Sequence, residues 1–363
     1  MKIFVAGTRG IPNIQGGVET HCEELYPRLV KLGYEITIIR RSCYVTSNNK
    51  IKSYKGVFLK DIYAPKHKKI EALLHTFLSV LYSKKSKADI LHIHAVGPAI
   101  MAPLARLLGL KVVVTHHGKD YDRQKWGKFA KITLKKGERL SVKYAHKLIV
   151  ISEDINNLIK QKYNRCDANI IYNGVNIPCK SLETKYIKTL GLYPKKYIFT
   201  LGRFVEEKGF HGLIEAFTNL ADKEYKLVIA GDADHPDTYS ENLKQLAIKN
   251  GVVLTGFIKG EKLNEVFSNA KLFVLPSFHE GLPISLLEAM SYDIDVLISD
   301  IPANLEVKLP DDCYFQCGKW DDLLNKMKKK LLQNEHIKYD LSMYNWDNIA
   351  AQTADIYQGL SVK

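Results

Sequence analysis

Residues 271–290, "KLFVLPSFHEGLPISLLEAM", read as a strand, a turn and the start of a helix. The apolar run "KLFVLPS" lacks the alternation of a half-exposed strand, so it predicts a strand covered on both faces. "FHEGLP" supplies turn residues, and "ISLLEAM" resumes with helix formers. A strand that runs straight into a helix is the repeating unit of a parallel sheet with helices on its faces. Two glutamates, Glu280 and Glu288, flank the turn. With Ser285 as N-cap, Glu288 falls at the third helical position and S-L-L-E reads as a capping box, which accounts for Glu288 structurally. Glu280, on the loop before the helix, has no such explanation. The first helical amides, around Ser285, Leu286 and Leu287, lack intrahelical acceptors and suit an anion.

The same alternation extends in both directions. "KIFVAG", "EITIIRR", "ILHIHA", "KVVVTHH" and "HKLIVIS" predict strands in the first half; "YIFTLGR", "KLVIAGD", "VVLTGF", "LFVLPS" and "VLISD" predict them in the second. Helical patterns lie between, among them "VETHCEELYPRLVKLG", which stops at Gly33 as a capped helix would. Residues 173–196 break the rhythm, and 363 residues suit two domains better than one core. The expectation is an α/β protein of two doubly wound, Rossmann-like domains, 1–178 and 179–345, facing a central cleft where ligands meet the C-terminal strand edges.

Composition narrows the class. Hydrophobic residues make up 46% and charged residues 25%, as in an ordinary globular chain. No basic segment leads into an apolar secretory core, and the most apolar long stretch, residues 95–114, carries Arg106 and Lys111, which argues against a membrane span. Six scattered cysteines with no C-x-x-C predict reduced thiols of a cytoplasmic protein. The charge is uneven: residues 1–180 hold 32 Lys+Arg against 13 Asp+Glu, whereas residues 181–363 hold 21 against 26. The first half should therefore attract an anionic surface.

Two further segments carry chemistry. In "GTRGIPNIQGGVETHCEEL", residues 7–25, glycines follow the first strand and a helix opens at Gly16-Gly17; neither a G-x-G-x-x-G spacing nor a Walker lysine is present, but backbone amides there can approach a phosphate. In "LGRFVEEKGFHGLIEAF", residues 201–217, Gly202 and Arg203 leave a strand and Lys208 precedes a helix. A guanidinium fork and an ammonium at one strand end can hold a diphosphate without a metal; the alternative is a surface Arg and Lys paired with Glu206 and Glu207. His92, His94, His116 and His117 lie near strand ends, yet no cysteine or paired carboxylate completes a zinc set. No metal and no cofactor are expected.

Glu280 and Glu288 at a seven-residue separation, the "GR…K" of residues 203–208 and the two-domain layout resemble a retaining GT-B glycosyltransferase of family 4 over nearly the whole chain. "GTRGIPNIQGGVET" and "THHGKDYDRQKWGKFAK", residues 115–131, are similar to a rhamnosyltransferase-like branch that builds bacterial surface polysaccharides. The resemblance implies that Arg203 and Lys208 neutralise the donor diphosphate, Glu280 contacts the donor sugar and Glu288 the ribose. It implies donor contacts from Gly16, Gly17, Gly202, Gly281, Leu282, Pro283, Ser285 and Leu286, with Phe257 and Ile258 of "TGFI" near the base. His117 matches a histidine beside the reacting sugar; His116 receives no role. The final helix, 346–363, resembles one that crosses back to the first domain. The implied reaction moves a sugar from a nucleotide-diphosphate donor to a hydroxyl of a lipid-linked glycan.

Such acceptors lie at the inner face of the cell membrane, and the basic half carries two relevant helices. In residues 66–87, Ile70, Leu73, Leu74, Phe77, Leu78 and Leu81 form a stripe between lysine clusters; the stripe alone predicts a core-facing side. Residues 119–147 hold ten Lys+Arg against three acidic residues, with Trp126 and Phe129 among them. The charge balance predicts peripheral contact with an anionic membrane. The same architecture would serve a nucleotide-sugar epimerase or a non-catalytic glycan binder. Basicity alone would serve a nucleic-acid-binding protein, but no such motif or stacking array is present.

Overall fold

The computed structural model describes residues 1–67, 70–119, 121, 127–222, 224–333 and 338–360. The chain divides into two compact units, Met1–Gly174 with Tyr344–Lys363, and Val175–Met343. The sequence-level role for Trp126 falls outside the described residues.

The first unit is built on eight strands: β1 (Lys2–Ala6), β2 (Glu35–Arg41), β3 (Ser53–Tyr54), β4 (Val57–Ile62), β5 (Ile90–His94), β6 (Lys111–His116), β7 (Lys147–Val150) and β8 (Asn169–Ile170). Their order across the sheet is β3-β4-β2-β1-β5-β6-β7-β8. Every pairing is parallel except that of β3 with β4. Helices α1 (Gly17–Lys31), α2 (Glu71–Lys85), α3 (Ala102–Leu107), α4 (Lys128–Tyr144) and α5 (Glu153–Tyr163) connect the strands. β5 is buried at all five positions and β6 at five of its six, which is why their sequences show no alternation.

The second unit has six strands: β9 (Tyr197–Leu201), β10 (Lys226–Ala230), β11 (Val253–Gly256), β12 (Leu272–Leu275), β13 (Asp295–Ser299) and β14 (Tyr314–Phe315). They lie in the order β11-β10-β9-β12-β13-β14, all parallel. Helices α6 (Lys185–Thr189), α7 (Phe210–Leu220), α8 (Thr238–Lys249), α9 (Glu261–Asn269), α10 (Ile284–Ser291), α11 (Pro302–Leu305) and α12 (Trp320–Leu332) complete it. α7 buries Phe210, Leu213, Ile214, Ala216 and Leu220 in the core of this unit. Burial stabilises each large apolar side chain by roughly 1.5–3 kcal/mol.

The last helix, α13 (Trp346–Gln358), packs in the first unit, where Trp346, Ile349, Ala350 and Tyr357 join Leu25, Tyr26 and Leu29 of α1. The doubly wound reading therefore holds in both units. β3, β4, β8 and β14 had no counterpart among the predicted strands. They are edge or near-edge elements, and β3, β8 and β14 are only two residues long. In each sheet the strand order reverses beside the unit's first strand, between β1 and β5 and between β9 and β12. That reversal parts the loops at the C-terminal edge and leaves a crevice for a ligand.

Candidate active site

In the second unit the loops after β9 and β12 meet at the reversal point. Gly209 follows a 3-10 turn, Glu206–Lys208, with φ of 65°, and a Cβ there would lie 2.1 Å from the Pro276 carbonyl oxygen. Only glycine permits that approach. The Phe278 N–H donates to the Glu207 carbonyl at 2.8 Å, tying the loops together. Lys208 then places Nζ 2.5 Å from Oε1 of Glu280, and Ser277 Oγ donates to the same oxygen at 2.6 Å. Burial raises the pKa of a carboxyl, but at Glu280 the adjacent Lys208 ammonium and the Ser277 bond outweigh it and hold the group below its ordinary range.

Arg203, on the same loop after β9, donates from Nη1 to Asp234 Oδ2 at 3.2 Å, beyond β10. The two cations of this one loop thus turn to different neighbours, one toward Asp234 and one toward Glu280. Gly202 precedes Arg203, and a Cβ there would stand 3.4 Å from Lys208 Cε. Gly281, Leu282 and Pro283 lead into α10 at this edge, followed by Ser285 and Leu286 in its first turn. Phe257 and Ile258 follow β11, with β10 between their strand and β9; Phe257 is exposed.

The capping box is absent. The N-cap of α10 is Pro283, no side chain caps the helix, and Ser285 is already its second residue. The turn hands over to the helix two positions earlier than the Ser-x-x-Glu pattern suggests. Glu288 therefore stands in the second turn, half-buried, and its sequence-level role as a cap falls away.

In the first unit the loop after β1 is ordered by a residue the motif reading passed over. Glu19 is the third residue of α1. Its Oε1 accepts from Thr8 Oγ1 at 3.2 Å and from the Arg9 amide at 2.9 Å, while Oε2 lies 3.9 Å from Arg9 Nη1. Gly16, with φ of 146°, has no room for a Cβ, which would lie 2.1 Å from Glu19 Oε2; Gly17 has nothing within 4 Å of that position. A carboxylate in the first helical turn is favoured by the helix dipole, so this N-terminus carries its own anion.

His117 belongs to a buried cluster at the end of β5 and β6. His92 and His94 share one strand face and stack at 4.5 Å, and His94 stacks on His117 at 5.1 Å. His94 Nδ1 lies 2.8 Å from His117 Nε2, and His94 Nε2 lies 2.5 Å from the Tyr26 hydroxyl. His21 of α1 joins the group, its Nδ1 2.9 Å from Asn173 Oδ1. Burial lowers His21 to about 4 and His92 to about 3 and holds His94 and His117 well below the ordinary histidine value, so all four rings are neutral at pH 7. Ring nitrogens of His21, His94 and His117 fall within 4.8 Å of one another, a set able to hold a metal ion. Of the four histidines near strand ends, His92, His94, His116 and His117, only His94 and His117 belong to this set. His116 turns to the opposite face, where its Nε2 meets Glu138 at 3.1 Å. Glu138 also accepts from Lys162 at 2.7 Å and Tyr163 at 2.6 Å.

Two family models match these two halves: residues 15–177 match Glycosyltransferase Family 4, and residues 183–345 match Glycosyl transferases group 1. The chain carries a Glycosyltransferase Family 4 domain followed by a Glycosyl transferases group 1 domain. This glycosyltransferase is 25% identical to an uncharacterized glycosyltransferase of Methanocaldococcus jannaschii, over 99% of this chain and 98% of the relative. It is 29% identical to the UDP-Gal:alpha-D-GlcNAc-diphosphoundecaprenol alpha-1,3-galactosyltransferase of Escherichia coli, over 61% of this chain and 60% of that one. Among solved structures, sucrose-phosphate synthase from Thermosynechococcus elongatus superposes with a TM-score of 0.81 at 18% identity, over 99% of this chain and 98% of the other. That likeness is one of fold, and the fold is GT-B.

Proposed function

We propose that this glycosyltransferase moves a sugar, with retention at the anomeric carbon, from a nucleotide-diphosphate donor to a hydroxyl of a lipid-linked glycan of the cell surface, in the manner of the rhamnosyltransferase-like branch. The observation that carries the reading is the Lys208–Glu280 pair at the reversal point of the second sheet, beside Arg203 and the N-terminus of α10. Lys208, Arg203 and the helix amides meet the charge that develops on the departing diphosphate, the preorganised role that lowers such barriers most. They do so without a metal. Glu280 accepts hydrogen bonds from the transferred sugar, Glu288 meets the ribose, and His117 contacts the sugar. The acceptor proton passes to an oxygen of the leaving diphosphate.

Membrane residence has a specific support. Apart from Val80, α2 buries polar residues, Glu71, His75, Thr76, Ser79 and Ser83, while Leu73, Phe77 and Leu81 are exposed at 37%, 37% and 42%. The buried polar face is held by Arg41, whose Nη1 lies 2.7 Å from Glu71 Oε1. The core-facing expectation for this stripe is thereby overturned. Exposed Lys66, Lys84, Lys85 and Lys87 flank it, and exposed Phe129 and Ile132 stand on α4, which packs on the same 3-10 turn, Pro98–Met101, as α2. Apolar side chains ringed by lysine suit the interface of an anionic bilayer. No helix among the described residues is long and apolar enough to cross a membrane.

The test is incubation of the chain with UDP-, dTDP- and GDP-sugars and an undecaprenyl-diphosphate-linked acceptor in anionic vesicles. Glycan extension with retained configuration supports the proposal. Interconversion of the donor sugar without acceptor would mark an epimerase instead.

A further inference from the structure

We infer that Glu138 is a positioning residue for the loop after β6: through His116 and Lys162 it holds the Gly118 backbone and the Tyr121 ring, and with them the place of His117. The arrangement starts with a close approach. α4 meets the loop after β5 at Gly137, where a Cβ would lie 2.2 Å from the Val96 carbonyl oxygen. That contact sets the next residue, Glu138, against the end of β6, where its side chain and that of His116 are both fully buried.

The Gly118 amide donates to His116 Nδ1 at 3.3 Å. A backbone N–H can only donate, so Nδ1 accepts and the ring hydrogen on Nε2 meets Glu138 Oε2 at 3.1 Å. The other carboxylate oxygen takes Lys162 Nζ at 2.7 Å and the Tyr163 hydroxyl at 2.6 Å. Three donors thus offset the cost of burying the carboxylate, and they fix where it sits.

His116 therefore bonds to the amide two residues on, across His117. Successive side chains of a strand face opposite sides, so a His116 ring held on one face directs His117 toward the other, where it stacks on His94. The same carboxylate reaches further along the loop. Lys162 Nζ stands 5.0 Å from the centre of the Tyr121 ring, which is buried, and Lys135 Nζ stands 5.5 Å from it. Lys119 pairs with Asp154 of α5 at 2.8 Å. Glu138 acts on transfer only by way of His117, a step that rests on the reading that His117 contacts the transferred sugar. The hold on Gly118 does not depend on that reading.

The experiment compares the full chain with Glu138→Ala, Glu138→Gln, His116→Phe and the double variant of Glu138→Ala with His116→Phe. Melting temperature, amide hydrogen exchange by NMR and steady-state kinetics are measured for each. Exchange at Gly118 should quicken by about tenfold or more in Glu138→Ala and His116→Phe, while Val113 and Val114 of β6 keep parental rates. Glu138→Gln, whose carbonyl oxygen still accepts from His116, should keep Gly118 close to parental. In the same two single variants kcat should fall by about tenfold or more, with KM for the donor little changed because Lys208 and Arg203 are untouched. The double variant should lose no more than the worse single one, since both changes break one chain of contacts. Glu138→Gln should retain most of the parental kcat. Parental exchange at Gly118 in Glu138→Ala and His116→Phe overturns the inference. So does a fall in kcat that is equal in Glu138→Gln and simply follows melting temperature. If Glu138→Ala does not fold, His116→Phe and Glu138→Gln decide the matter by the same two signals. If Gly118 loosens and kcat does not move, the positioning assignment stands and the sugar contact is what fails.

Discussion

Oε1 of Glu280 lies 2.5 Å from Nζ of Lys208, so a single carboxylate joins the loops that follow two neighbouring strands of the second sheet. The two side chains are only 11% and 15% exposed. Lys208→Ala removes the proposed diphosphate contact and takes the ammonium partner from the Glu280 carboxylate. We expect kcat/KM to fall by about 10²–10³, the size of a lost oxyanion donor. Glu280→Gln should lower kcat too, and the double variant should lose less stability than the two single losses combined, because the residues share one interaction. Steady-state assays and urea unfolding of the four forms check this.

Acid should weaken the chain in two stages. His21 and His92 titrate near 4 and near 3 in the folded state against about 6.5 when unfolded. The unfolded state thus binds more protons, and stability falls as pH drops from about 6.5. Burial alone would raise Glu138, but bonds from His116, Lys162 and Tyr163 win and hold it at about 2. Its contribution is present above about pH 4.5 and lost as pH falls toward 2. Unfolding free energies of the parent and of Glu138→Gln should therefore converge between pH 4.5 and 2, while net proton uptake on unfolding is already measurable near pH 5.5.

Gly16 and Gly17 look alike in the sequence and should behave differently. Gly16→Ala places a Cβ 2.1 Å from Glu19 Oε2 at a φ of 146°, whereas Gly17→Ala meets nothing within 4 Å. The first should cost roughly 1–3 kcal/mol and the second almost none. Thermal unfolding of the two variants decides it.

The exposed face of α2 should be dispensable for folding and needed for the membrane. Phe77→Ser with Leu81→Ser should leave the melting temperature within a few degrees of the parent and sharply reduce flotation with vesicles containing anionic lipid. Raising ionic strength should weaken the parent's binding in the same assay, since lysines contribute.

Much of this was legible in the chain because periodicity and loop position are local properties. Continuous apolar strands gave the doubly wound units, and the rule that ligands gather at the C-terminal edges of strands drew attention to Lys208 and Glu280. What stayed hidden depended on partners distant in sequence. Asp234 is an ordinary aspartate until β10 places it beside Arg203, and Glu19 looks like a first-turn acid until the loop folds onto it. Tyr26 reads as a core aromatic, although "HIH" already placed two imidazoles on one face. The stripe on α2 had the right period, but a period does not say which side faces inward; the Arg41–Glu71 pair decided that. At α10, Pro283 took the cap that Ser285 was expected to hold.

The most direct measurement of the central claim, that Lys208 and Arg203 grip the donor diphosphate, is calorimetric binding of UDP, dTDP and GDP with a chelator present, to the parent and to Lys208→Ala with Arg203→Ala. The account predicts that one of these diphosphates binds the parent more tightly than the corresponding monophosphate does, and that the double variant binds it at least about tenfold more weakly, a change of about 1.4 kcal/mol or more. Equal affinity of both proteins for that nucleotide diphosphate would contradict it.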